Sequence, residues 1–101
     1  DVHNTDHSNN SPLISACGNG NLAIVQYLVE NGADLYHKDW YGNSPLRYAC
    51  EKGNLKIVKY LVELGIDVNQ TIDYGNTPLL IACEHGYETI VKYLMEQGAD
   101  L

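Results

Sequence analysis

Apolar residues run along the chain in three near-copies of one pattern. Each copy opens on proline, as Pro12-Leu13-Ile14, Pro45-Leu46 and Pro78-Leu79-Leu80, and closes its first run on Ala16-Cys17, Ala49-Cys50 or Ala82-Cys83. An Ile-Val-x-Tyr-Leu stretch follows from Ile24, Ile57 and Ile90, with its apolar positions at helical spacing. The hydroxyls of Ser11, Ser44 and Thr77 stand where an N-cap is needed. The proline after each belongs at the first helical position, where a missing N–H is no loss. The pattern predicts a short first helix ending at Gly20, Gly53 or Gly86. A second helix begins with Ile-Val-x-Tyr-Leu and is stopped by Gly32, Gly65 or Gly98. Between Gly32 and Pro45, and again between Gly65 and Pro78, the pattern becomes that of an extended loop with a turn at its tip, at Gly42 and Gly75. The first unit has Asn9 at that point, and asparagine is the next-best residue for a left-handed turn.

All these landmarks recur every 33 residues: Pro12, Pro45 and Pro78; Cys17, Cys50 and Cys83; Val25, Val58 and Val91. Such a period is the signature of a stacked repeat architecture. It implies an all-α repeat solenoid of antiparallel helix pairs joined by β-turn or hairpin loops. Residues 1–9 read as the end of a preceding repeat and its loop, 10–42 and 43–75 as full units, and 76–101 as a truncated one. Asp1-Val2, Asp34-Leu35, Asp67-Val68 and Asp100-Leu101 hold one phase, so both termini fall at the same point of the repeat. The expectation is a segment of a longer array whose uncapped terminal repeats favour end-to-end self-association and marginal stability.

A 33-residue unit of two helices and a β-turn, carrying Thr77-Pro78-Leu79 and Gly32-Ala33-Asp34, resembles the ankyrin repeat over the whole chain. The chain departs from that family at the position after the Pro-Leu pair, where the family's usual histidine is replaced by Ile14, Arg47 and Leu80. The resemblance implies a non-catalytic protein–protein interaction module whose concave face is built from hairpin tips and first-helix ends. Carried onto matching positions, that face comprises His7, Ser8 and Asn10; Trp40, Tyr41, Asn43, Glu51 and Lys52; and Asp73, Tyr74, Asn76, Glu84 and His85. Trp40 and Tyr41 are the strongest candidates, because tryptophan and tyrosine are the residues most enriched in binding hot spots. The alternative for Trp40 is that it lies on the neighbouring loop and shields the hairpin. The competing function is an architectural spacer, which would bind nothing tightly through these tips. Leu61, Asp67, Val68 and Asn69 also resemble the pattern at which an asparaginyl hydroxylase modifies ankyrin loops, making Asn69 a candidate modification site.

Composition narrows the remaining classes. A chain of 101 residues with net charge −7 has 13 Asp and Glu against 6 Lys and Arg. With no basic cluster, it lacks the footprint of a nucleic-acid binder. The longest apolar run, Leu79 to Cys83, is far below the ~20 residues of a membrane span, and no signal segment opens the chain. Equivalent cysteines in stacked helices should stand ~8–10 Å apart, beyond disulfide reach of ~4.4–6.8 Å. Cys17, Cys50 and Cys83 therefore read as small core residues of an intracellular protein, cytoplasmic or nuclear. His3, His7, His37 and His85 share no repeat position and no metal-ligand spacing, and no nucleophile or phosphate-loop motif occurs. No cofactor or metal is implied. Tyr27, Tyr60 and Tyr93 read as aromatic packing between second helices, and Glu30, Glu63 and Glu96 as a solvated face four residues after Gln26, Lys59 and Lys92.

Overall fold

The structure, a computed structural model, describes residues 5–70 and 76–101. Among the described residues the chain forms six helices and no extended strand. The helices are α1 Pro12–Asn19, α2 Leu22–Glu30, α3 Pro45–Lys52, α4 Leu55–Glu63, α5 Pro78–His85 and α6 Glu88–Glu96. Ser11, Ser44 and Thr77 cap the first helices by accepting the N–H of Ile14, Arg47 and Leu80 at 3.3, 3.2 and 3.2 Å. Each such cap contributes about 1 kcal/mol. The second helices start at Leu22, Leu55 and Glu88, two residues before the isoleucines taken as their beginning. The cause is a second set of caps. Asn21 and Asn54 accept the N–H of Ile24 and Ile57, both at 3.1 Å. In the third pair Tyr87 makes no side-chain cap, and Glu88 instead places a negative charge in the first turn, where the helix dipole favours it.

Each first helix packs on its own second helix. α1, α3 and α5 then pack on one another as one layer and α2, α4 and α6 as the other, in a body 37 × 27 × 20 Å. Between the layers lies a buried cluster that includes Leu13, Cys17, Val25, Leu46, Val58, Leu61, Ile90 and Leu94. The loops close through backbone hydrogen bonds: Gly42 N–H to Asp39 C=O at 3.1 Å and Asp39 N–H to Asn43 C=O at 3.0 Å. Asn9, with φ 59°, takes the left-handed conformation expected of it, the one non-glycine to do so among the described residues.

Position in the stack overrides position in the repeat. Ile24 is 50% exposed, whereas Ile57 and Ile90, at the same phase, are 0% and 1% exposed. Cys17 and Cys50 are fully buried but Cys83 is exposed, so the core assignment of the cysteines fails for the third. Likewise Tyr60 and Tyr93 are half-buried but Tyr27 is 69% exposed, which corrects the reading of all three as packed. The reason is directional. Isoleucine and tyrosine of this motif face the preceding repeat, and cysteine faces the following one, so each loses its cover at one end of the stack.

Burial pushes the Cys17 and Cys50 thiols from an ordinary value of 9.0 up to about 12. Above pH ~9 the unfolded chain releases thiol protons that the native chain keeps. Stability is therefore intact below that pH and falls as pH rises, by about 1.4 kcal/mol per pH unit for each thiol. Tyr60 and Tyr93 act in the same direction. Their hydroxyls are raised first by burial and then by the charges of Glu30 and Glu63. Urea unfolding between pH ~8 and ~11 is expected to show this decline, with most of the slope removed in a Cys17→Ala, Cys50→Ala variant.

Candidate functional site

The hairpin tips are built by aspartates. Asp39 is buried and accepts the N–H of Tyr41 and of Asn43, both at 2.9 Å, while its second oxygen accepts Asn43 Nδ2 at 3.1 Å. Asp6 does the same for Ser8 and Asn10, at 2.9 and 3.1 Å. These two backbone bonds, with Asn10 the larger contributor, hold the Asp6 carboxyl below its usual value. The Asp-x-x-x-Asn pairs at Asp6–Asn10 and Asp39–Asn43 stand 33 residues apart. That recurrence was the available signal for this role, which the sequence analysis missed.

Adjacent tips are tied together. Trp40 N–H donates to Ser8 C=O at 3.0 Å, Asn9 Nδ2 to Lys38 C=O at 3.2 Å, and the His37 ring bonds Asn9 C=O at 2.7 Å. With its backbone fixed in this way, the Trp40 side chain is 77% exposed and that of Tyr41 75%. His7 stands exposed at the first tip, and Ser8, Asn10, Asn43 and Asn76 are half-buried. Asp73 and Tyr74 lie outside the described residues.

At the first-helix ends, Asn10 and Lys52 come together with Ser15, Gly18, Asn19 and Tyr48 around a cleft of about 280 Å³ between α1 and α3. Asn10 Nδ2 donates to Ser15 Oγ at 2.8 Å, and Lys52 Nζ lies 5.9 Å from the Tyr48 ring centre. Tyr48 was not singled out from the sequence, because its counterparts Ser15 and Ile81 carry no aromatic ring.

Glu51, Glu84 and His85 occupy the ends of α3 and α5, and Tyr87 links two of them. Its hydroxyl donates to Glu51 C=O at 3.0 Å, and its ring stacks on His85 with centres 5.4 Å apart. In the preceding pair the equivalent tie is Asn54 Nδ2 to Gly20 C=O at 3.2 Å. Asn69 is a further tie between repeats. It donates through Nδ2 to Gly98 C=O at 3.2 Å and accepts Asp100 N–H at 2.7 Å, beyond the local turn role its sequence context suggests. No helix among the described residues is long and apolar enough to cross a membrane.

The arrangement presents aromatic side chains on a hydrogen-bonded frame beside a polar cleft. Among the described residues no group of three or more His, Cys, Asp or Glu is placed to hold a metal ion. A family model described as ankyrin repeats, in three copies, matches residues 1–72, and one described as ankyrin repeat matches residues 74–101. No curated protein matches the chain.

Proposed function

The chain belongs to the ankyrin repeat family, whose members are generally protein–protein interaction modules, and from that premise we propose that it is a non-catalytic recognition module. Its concave face takes a protein or an extended peptide. One observation carries the reading: two large aromatic side chains, Trp40 and Tyr41, stand three-quarters exposed on a tip whose backbone is held by Asp39 and by Ser8 of the neighbouring loop. Rigid aromatic groups lose little conformational entropy when a partner covers them, so apolar area buried there converts efficiently into affinity. The polar cleft holding Asn10 and Lys52 supplies hydrogen-bonding groups that orient a bound chain. Three unpaired thiols fit a reducing compartment, cytoplasmic or nuclear.

Affinity capture from a matched cell extract, with the native chain compared to a Trp40→Ala, Tyr41→Ala variant of unchanged circular dichroism, tests this. A partner retained by the native chain is expected to be lost by the variant. Each truncation costs about 2 kcal/mol of binding, roughly a thirtyfold weakening. Equal retention by both proteins removes the tips from the site, and no specific retention by the native chain favours the architectural spacer.

A further inference from the structure

The cleft between α1 and α3 lies where one unit lacks a side chain that the other two carry. Gly18 follows Cys17, and at the same point after Cys50 and Cys83 stand Glu51 and Glu84. Across the cleft from Gly18 is Lys52, whose counterpart one unit further on is His85. At the α3/α5 boundary a glutamate and a basic residue are thus held against one Tyr87 ring, which bonds Glu51 C=O through its hydroxyl and stacks on His85. At the α1/α3 boundary the basic residue is present and the carboxylate is not. Both walls of the cleft belong to helix pairs inside the chain, so its opening does not depend on either end of the stack.

We propose that this cleft is a subsite for the side-chain carboxylate of an aspartate or glutamate in the partner, which supplies in trans the acidic group that the first unit lacks. The inference rests on the recognition reading above and names the chemistry of one part of that face. Space comes from Gly18: a Cβ there would stand 4.0 Å from two atoms of the Tyr48 ring, so the glycine leaves open the room that a side chain would fill. Charge comes from Lys52, whose Nζ lies 5.9 Å from the Tyr48 ring centre. Ser15 Oγ already accepts Asn10 Nδ2 at 2.8 Å, which leaves the hydroxyl proton to be donated outward. Exposed Asn19 adds two amide donors, while Asn10 Oδ1 is enclosed and presents no lone pair to a ligand.

Hydrogen bonds from such donors to a carboxylate are roughly twice as strong as those to a neutral amide of the same shape. The net charge of −7 repels acidic ligands, so the preference is set by these local donors and not by the field of the whole chain. The cleft and the aromatic tip also share one footprint. Trp40 N–H is bonded to Ser8 C=O at 3.0 Å, and Asn10 of the cleft is two residues along, at most about 7 Å of chain. A partner seated on the tip reaches the cleft with a side chain a few residues away.

The probe is glutamate blocked as its N-acetyl N-methylamide, so that the side chain is its one carboxylate, titrated into the isotopically labelled whole chain at neutral pH and followed by NMR. Ionic strength is held constant with sodium chloride, and the blocked glutamine serves as the uncharged comparison. Backbone amides of Ser15, Gly18, Asn19 and Lys52 are expected to shift saturably with the glutamate probe, and the glutamine probe to bind about tenfold more weakly. Lys52→Gln should weaken glutamate binding about tenfold by removing the charge. Gly18→Glu should weaken it as much, because its own carboxylate takes the place. Glutamate is the residue of the other two units and a better helix former than glycine, and Lys52 is exposed, so both variants are expected to keep the native circular dichroism. Lys56→Gln, at an exposed position of α4 outside the cleft, should bind like the native chain. Equal binding of the two probes, undiminished binding by Lys52→Gln or by Gly18→Glu, or no saturable shift at the cleft would each overturn the proposal. The titration reads the cleft and the affinity capture reads Trp40 and Tyr41, so the failure of one reading is distinct from the failure of the other.

Discussion

Gly53→Ala is expected to destabilise the chain by about 2–4 kcal/mol, against about 1 kcal/mol for Gly86→Ala at the same repeat position. Both glycines end a first helix in the left-handed region, at φ 75° and 73°, and both changes incur the backbone strain of an L-residue there. They differ in what lies above them. A Cβ on Gly53 would stand 2.8 Å from Tyr87 Cζ and 3.0 and 3.1 Å from the ring's Cε atoms, whereas a Cβ on Gly86 would meet no group of another element within 4 Å among the described residues. The Tyr87 ring cannot swing aside freely, since its hydroxyl is bonded to Glu51 C=O and its face is stacked on His85. Gly20→Ala should fall between the two, because the group it meets at 3.0 Å is the end of the Asn54 side chain. Thermal unfolding of the three variants gives the order, with Gly53→Ala lowering the midpoint by about 10–20 °C. Adding Tyr87→Asn to Gly53→Ala should recover part of the loss. Equal effects at all three positions would show that backbone strain alone sets the cost.

Ile57→Ala is expected to cost about 2–5 kcal/mol and Ile24→Ala less than about 1 kcal/mol, although the two isoleucines share one motif and one helical position. Ile57 is fully buried, so truncation removes its transfer energy and leaves a cavity in a cluster that runs through all three helix pairs. Ile24 has half its surface in water already, and the solvent fills the space left. Total stability for a domain of this size is about 5–15 kcal/mol. The Ile57 change therefore removes a large share of it, and urea denaturation of both variants at one pH provides the comparison. Similar midpoints for the two would mean that the first helix pair contributes to the fold as an internal repeat does.

Much of this architecture was legible because it is written in local chemistry. Proline after Ser11, Ser44 and Thr77 marks helix starts, and glycine at the 33-residue period marks their ends. Asn9 signals a left-handed turn without a glycine because its requirement is set by its own dihedral angles. The exposed tip at Trp40 and Tyr41 was also legible, since an aromatic pair beside a turn glycine has no helical or core position to fill. Asn21 and Asn54 were passed over as helix caps because the same residues also suit loops. The second task of Asn54, bonding Gly20 across the repeat boundary, has no sequence signal at all. The same holds for Tyr87, which replaces an asparagine and makes its tie with a hydroxyl and a ring instead of an amide.

The period, the order and limits of most elements, and the exposed place of Trp40 and Tyr41 on their loop tip follow from the chain alone. These depend on dihedral preferences and on hydrogen bonds spanning a few residues. Tertiary structure alone decided which copy of a repeated residue is buried: Ile57 and not Ile24, Cys17 and Cys50 and not Cys83. A repeat specifies which way each side chain faces. Burial, the raised thiols and the bonds between repeats depend on whether a neighbour stands there, because apolar transfer and desolvation energies belong to the contact and not to the residue.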